Sequence, residues 1–158
     1  MKMPEVGFGV VPIEQVRGMD GLTLFDEIRA GRLPAPPLAK VLGFWIDEVE
    51  AGRVVFAYEP VIDHYNPIGS VHGGIAATLL DSVMGCSVHT RLKAGVGYTT
   101  VEIKINYVRA MTDKTGRVRA EGKVINLGSR IATAEGRLTD AAGKLLAHGT
   151  TTCLLFPI

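Results

Sequence analysis

The stretch NPIGSVHGGIAATLLD, residues 66–81, sets an asparagine, a histidine and two glycines ahead of an apolar run that closes on one carboxylate. Asp81 is the residue that needs a reason. A charge among Ile75, Ala76, Leu79, Leu80 and Val83 is costly unless it is paired or used. Used, it would be a base near neutral pH; paired, it would bond a backbone donor or an arginine. On the aspartate alone the two readings are even. His72-Gly73-Gly74 tips the balance, because it stands where a helix would begin and glycine lets a ligand come close to the backbone. The first N–H groups of a helix have no internal partner and carry the positive end of its dipole. They would suit a developing oxyanion. One segment therefore offers a polarising amide and a carboxylate, the two parts needed to split an acyl group with water.

A distance stands in the way. Gly73 and Asp81 are eight residues apart, which on a helix is about 12 Å, too far for both to reach one carbonyl carbon. Two antiparallel copies of the helix side by side remove the difficulty: Gly73 of one chain then meets Asp81 of the other, giving two equal sites per dimer.

The elements that must hold these residues are legible as patterns. Residues 73–92 are too long for a strand and apolar nearly all round, which predicts a helix buried on every side. A sheet must wrap it, and a domain of this size needs a second subunit to cover the rest. YTTVEIKINYV alternates, with Val101, Ile103, Ile105 and Tyr107 opposite Glu102, Lys104 and Asn106. GRVRAEGKVIN sets Val118, Ala120, Gly122 and Val124 against Arg117, Arg119, Glu121 and Lys123. SRIATAEGRLTD and KLLAHGTTTCLLF follow, joined by a turn at residues 141–144. Before the helix, VLGFWIDEVEAGRVVFAYEP reads as two strands about a turn at residues 50–53. DGLTLFDEIRAG predicts a short helix with Leu22, Phe25 and Ile28 on one face and Gly31 as its stop, and LPAPP an extended linker. The class is α+β: an antiparallel sheet with one polar face and the other face covered by a helix.

Composition narrows the field. The 158 residues are enough for one domain with a core, and 47% apolar with 21% charged residues reads as soluble and globular. A formal net charge of +1 argues against a nucleic-acid partner. No apolar run approaches the length of a bilayer span, and MKMPEVGFGVVPIEQ, with Glu5 and Pro12 about its apolar patch and no cleavage site, does not read as a signal peptide. Cys86 and Cys153 have no metal spacing and sit among apolar residues, so they are expected to be reduced core residues of a cytoplasmic protein rather than nucleophiles.

With these residues in view, DHYNPIGSVHGGIAATLLDSVMG (residues 63–85), then TTVEIKINYVRA and the closing GKLLAHGTTTCLLF, resemble the hotdog-fold acyl-CoA thioesterases, and among them the phenylacetate-pathway, PaaI-like branch. The resemblance spans residues 38–156. It implies an antiparallel sheet around one long helix, paired into homodimers and often homotetramers, with an acyl-CoA substrate and neither metal nor cofactor. It implies that the Gly73 amide polarises the thioester carbonyl and that Asn66 helps to hold the thioester. Asp81 of the partner chain activates water or attacks directly, and His72 assists the leaving group. Asp81 places the chain with the members that carry Asp rather than Glu there. A hydroxyl on the strand after the helix positions the water: motif alignment points to Thr100, strand alternation to Thr99. Gly74 is expected to line the substrate path, and Arg130, with Arg109 as a second candidate, to meet the coenzyme A phosphates. The chain then divides into an extension with a short helix and Pro-rich linker, residues 1–37, and a hotdog domain, residues 38–158.

Other residues have plainer readings. His64 is expected to be an exposed loop residue, His148 a strand residue facing solvent or a subunit contact, and His89 a charge complementing the helix C-terminus. Arg130 in LGSR is as readily a solvated loop charge, and Phe44 and Trp45 are better explained by packing than by an acyl tunnel. A non-catalytic acyl-CoA sensor on the same fold would need an output domain, for which the residues before the linker are too few. A hydratase would need an acid/base pair at a spacing that is not found. The acyl group stays open between aryl-acetyl and medium-chain.

Overall fold

Gly73–His89 form the long helix, α4, rich in Ala and Leu and opened by two glycines. His72 caps it, its Nδ1 accepting the Gly74 N–H at 2.8 Å. Six strands surround it: β1 Phe44–Glu50, β2 Arg53–Tyr58, β3 Val96–Tyr107, β4 Val118–Leu127, β5 Ile131–Thr139 and β6 Leu145–Pro157. They make one antiparallel sheet in the order β1-β2-β4-β5-β6-β3. The structure, a computed structural model, describes residues 7–158; the expectation about the chain start falls partly on residues 1–6, outside the described residues.

The sheet's inner face packs on α4 through Val54, Phe56, Val118, Ala120, Leu138 and Cys153, which meet Leu79, Leu80, Val83, Met84 and Val88. Helix and sheet approach so closely at Gly122 that a Cβ there would lie 2.4 Å from the Val83 carbonyl oxygen. Two buried hydroxyls fasten the layers. Ser87 Oγ donates to the Val83 carbonyl and accepts the Val54 N–H, and Thr90 Oγ1 accepts the Gly52 N–H at 2.8 Å in the β1–β2 turn. The outer face carries the charged residues of the alternating pattern. Arg53 and Arg119 tie Glu48, Glu50 and Glu121 together there, and Arg117 reaches Asp47. Hotdog architecture, an α+β sheet wrapped on a central helix, is the result.

Within one chain the sheet leaves part of α4 uncovered, as expected for a domain of this size: Ile75, Thr78, Asp81 and Ser82 form a half-buried stripe along it. Three expectations need correction. Two short helices were not foreseen, α1 Ile13–Gly18 and α3 Pro37–Leu42. The linker is extended only to Pro36; Pro37 opens α3, where its missing N–H is no loss, and Gly43, at φ 66°, ends it. The foreseen helix is α2, Gly21–Arg29, capped by the Asp20 carboxylate, which accepts the Thr23 N–H. Finally, β3 does not alternate throughout. Its pairing with β6 shifts between Thr100 and Glu102, so Val101 is a bulge residue and lies exposed instead of sharing the inner face with Ile103.

β3 is an edge strand, bonded to β6 on one side only. It is twelve residues long, the second longest in the sheet.

Candidate active site

Asp81 is the middle residue of α4, on its half-buried stripe. Thr100 Oγ1 donates to its Oδ1 at 2.8 Å. The bulge at Val101 is what makes this contact: it puts Thr100 on the inner face beside the buried Cys153 and leaves Thr99 exposed. Of the two threonines, Thr100 therefore reaches the carboxylate. The aspartate is both partnered and open, since it also forms part of the wall of a cavity of about 270 Å³.

That cavity is mainly apolar. Phe44, Ile46 and Phe56 line it from the sheet, and Ser82, Cys86 and Tyr98 stand near the carboxylate. Burial, and secondarily the Asp81 charge, push the Cys86 thiol up to about 12, and burial raises Cys153 as well. Both thiols stay protonated at neutral pH, as residues that pack rather than attack. Both are free. Tyr98 is held well above the usual phenol range, first by burial and then by its thiol and carboxylate neighbours. Gly85 makes room for it: a Cβ at that position would fall 2.5 Å from the Tyr98 hydroxyl. Sequence reasoning missed Tyr98; a tyrosine two residues before the motif threonine was the only signal. Phe44 and Trp45 do border the cavity, although both are also buried core residues.

Gly73 lies elsewhere. It lines a separate depression of about 280 Å³ with Ser70, Tyr107 and Arg109. Tyr107 donates to the Gly73 carbonyl at 3.2 Å. No acceptor for the Gly73 N–H is found among the described residues, whereas the Gly74 N–H is taken by His72. Because His72 Nδ1 accepts that bond, the neutral ring carries its proton on Nε2. Asn66 is half-buried and committed to its own loop: Oδ1 accepts the Ile68 and Ser70 N–H groups, and Nδ2 donates to Ser70 Oγ. These bonds shape the turn that leads into His72.

Two histidines, His64 and His89, depart from their expected places. His64 is half-buried and shares a 2.8 Å hydrogen bond with the hydroxyl of Tyr58, a buried phenol that desolvation pushes up to about 12. His64 also accepts the His72 N–H on its carbonyl, which ties the loop to the start of α4. His89 is no helix-end charge. Burial lowers its pKa, and its ring packs edge-on between Phe25 and Tyr98 at 5.4 and 5.5 Å. His148 is half-buried opposite Asn106 on the outer face. Arg109 is exposed beside Gly73; Arg130 is exposed in the β4–β5 turn, one residue before Ile131, whose register row runs through Leu154 to Thr99. The two arginines thus stand at opposite ends of β3. Among the described residues no group of side chains could hold a metal ion, and no helix is long and apolar enough to cross a membrane.

Comparison with known proteins agrees with this architecture. The model of the thioesterase superfamily matches residues 68–147. A human protein, acyl-coenzyme A thioesterase 13, is 30% identical over 103 residues, 64% of this chain and 71% of that one. The 1,4-dihydroxy-2-naphthoyl-CoA hydrolase of Listeria monocytogenes is 26% identical over 109 residues, 69% of this chain and 87% of that one. A phenylacetic acid degradation-related protein from Ralstonia eutropha superposes with a TM-score of 0.75 at 29% identity, covering 82% of this chain and 98% of its own. The chain belongs to the thioesterase superfamily, as a hotdog-fold thioester hydrolase of the acyl-CoA thioesterase family with PaaI-like structural neighbours.

Proposed function

We propose that the chain hydrolyses the thioester of an aryl-acyl or medium-chain acyl-CoA to the free acid and CoA, at a site that two copies of the chain build together. The observation that carries this reading is Asp81, held by Thr100 at the wall of an apolar cavity, while the Gly73 amide it would work with faces a different depression of the same chain. The open edge of β3 supplies a means of assembly. An antiparallel pair of β3 strands extends both sheets and sets the two α4 helices antiparallel, Gly73 of one toward Asp81 of the other. Homodimers, with homotetramers as a further step, are the assemblies this predicts.

In that site the acyl group lies in the cavity and the thioester carbonyl faces the Gly73 amide of the second copy. As water or Asp81 itself attacks the carbonyl carbon, its oxygen gains charge and the Gly73 N–H, which has no competing acceptor among the described residues, stabilises it. Asp81 takes the proton of the attacking water, or forms an anhydride that water then opens. Thr100 fixes the carboxylate oxygen that does not react. His72 presents Nε2–H to the departing sulfur, and Asn66 holds the loop that aims both His72 and Gly73. Gly74 contributes by having no side chain there, because its N–H is already used. Thr99, Arg109 and Arg130 lie on the exposed rim, where the arginines suit CoA phosphates. The aryl-acyl preference is supported by the names of the Listeria and Ralstonia relatives. Two free cysteines fit a reducing, cytoplasmic setting.

The test is to incubate the protein with a panel of acyl-CoAs and a thiol-trapping dye. Steady thiol release from aryl-acyl or medium-chain esters is expected. Saturable binding with no release would instead favour a sensor and overturn the hydrolase reading.

A further inference from the structure

The segment before the sheet has no part in the chemistry above, and the superfamily match starts after it, at residue 68. Its seating is nevertheless specific. α2 packs on β1 and against α4. The Gly21 N–H donates to the Leu92 carbonyl at 3.0 Å, and a Cβ on Gly21 would fall 1.8 Å from the His89 carbonyl oxygen. The start of α2 therefore fits against the end of α4 with no space for a side chain. Phe25 then lies edge-on to His89. The N-terminal residues are fastened in turn to the linker: the Gly9 N–H donates to the Ala35 carbonyl at 2.9 Å and the Ala35 N–H to the Gly7 carbonyl at 2.8 Å.

These contacts build a roof. Phe8, Phe25, Ile28, Leu38 and Ala39 line the cavity whose wall also holds Asp81 and Ser82. Apart from Arg29, everything the segment presents to the cavity is apolar. Size follows from volume. An apolar cavity of about 150 Å³ takes a benzene molecule, so in proportion the ~270 Å³ here has room for about ten non-hydrogen atoms. A phenylacetyl or octanoyl group fills such a space; a palmitoyl group overruns it and would have to displace the roof.

We propose that this N-terminal segment is the cap that sets the depth of the acyl site, with Phe25 and Ala39 as its depth-setting residues, so that compact apolar acyl groups are selected over long ones. The proposal rests on the reading that Asp81 marks the reaction centre. It assigns a second purpose to a segment that also packs on β1 through Leu24, Phe25 and Ile28. It also names a substrate class: a single ring on a short linker, or a straight chain of medium length.

The experiment compares kcat/KM for phenylacetyl-, butyryl-, octanoyl-, dodecanoyl- and palmitoyl-CoA in wild type, Phe25→Ala and Ala39→Leu. One methylene in an apolar pocket is worth about tenfold or more in discrimination. Wild type is therefore expected to favour phenylacetyl- or octanoyl-CoA over palmitoyl-CoA by at least about tenfold. Phe25→Ala should shift the optimum toward dodecanoyl-CoA, and Ala39→Leu toward butyryl-CoA. Phe25→Leu gives the same direction with a smaller step if the alanine variant does not fold. A wild type that prefers palmitoyl-CoA, or an optimum that is the same in all folded variants, overturns the cap. A second readout separates this from the hydrolase reading. Trp45 is the sole tryptophan and borders the cavity, so its emission should respond saturably to free phenylacetate and octanoate. Dodecanoate should produce that response in Phe25→Ala more strongly than in wild type. If no ester is hydrolysed and these fluorescence changes still occur, the cap stands and the hydrolase reading falls. If neither occurs, both fall.

Discussion

Thr100→Val isolates the contact on which the site is built. The substitution keeps a β-branched side chain of nearly equal size on a strand, so β3 and its bulge should survive. It removes one hydroxyl, whose 2.8 Å bond to Asp81 Oδ1 is charge-assisted. Hydrogen bonds to charged groups are worth about 1.5–3 kcal/mol. Asp81 is only half-buried, so water can replace part of the lost donor and the lower end of that range applies to stability. Turnover depends on more than solvation of the carboxylate: it needs that group held in one orientation against the acyl carbon. At about 1.4 kcal/mol per tenfold in rate, losing the bond should lower kcat by about 10- to 100-fold while the urea midpoint moves little. Thr100→Ser restores a hydroxyl at the same strand position and should stay within about threefold of wild type if the bond is what matters. The assay is thiol release from the best ester of the panel, with the denaturation curve run on the same preparations. A valine variant with wild-type kcat would refute the role of Thr100, and with it the reason for the bulge at Val101.

Other consequences follow from the same geometry. Gly73→Pro should keep the fold, because proline suits the first turn of a helix and His72 already has the extended backbone that precedes it. It removes the Gly73 N–H and sets a ring carbon 3.3 Å from the exposed Tyr107 ring, which must give way slightly, and kcat should drop by about 10²–10³-fold, read in the thiol assay. Gly122→Ala drives a methyl group into the Val83 carbonyl and should destabilise the protein by about 1–3 kcal/mol in urea denaturation. His89 contributes a pH dependence of stability. Burial lowers its folded pKa below the ordinary 6.5, so the unfolded chain binds the extra proton first. Stability should fall as pH drops below 6.5 toward the depressed folded value, and His89→Gln should flatten that limb of the urea midpoint against pH.

Sequence periodicity reveals an element where its pattern runs far enough: α4 from its Ala- and Leu-rich run, β4 from its alternation as far as Val124, beyond which its pairing with β5 shifts, and the β5–β6 hairpin from its turn. Thr100 shows where periodicity stops being informative. A bulge inserts one residue and reverses every later side chain, yet nothing in YTTVEIKINYV marks Val101 as the extra one. α3 was hidden for a related reason, since Pro36 and Pro37 look alike in sequence while one ends an extended segment and the other begins a helix. The half-buried stripe of α4 reads as core because Ile75 begins it and Leu79, Leu80 and Val83 lie beside it in sequence, so hydropathy alone does not separate the two faces. His64 and His89 were misplaced because their partners, Tyr58 on β2 and Phe25 on α2, depend on tertiary packing. The cavity has the same character: its walls come from seven stretches of chain, and only Asp81 and Ser82 belong to the motif of residues 63–85.

The central claim is that Gly73 and Asp81 of different copies share one site, and complementation tests it most directly. Gly73→Pro and Asp81→Ala are each inactive in this account and are unfolded together in equal amounts and refolded as a mixture. In a mixed dimer both lesions fall in one site and the other site is intact. With random pairing half of the dimers are mixed and each has one working site, so thiol release should return to about a quarter of the wild-type rate. Each variant refolded alone should stay inactive. If the mixture also stays inactive while native gels show that mixed dimers have formed, the two residues do not meet across an interface, and the account of why a carboxylate stands in this helix is wrong.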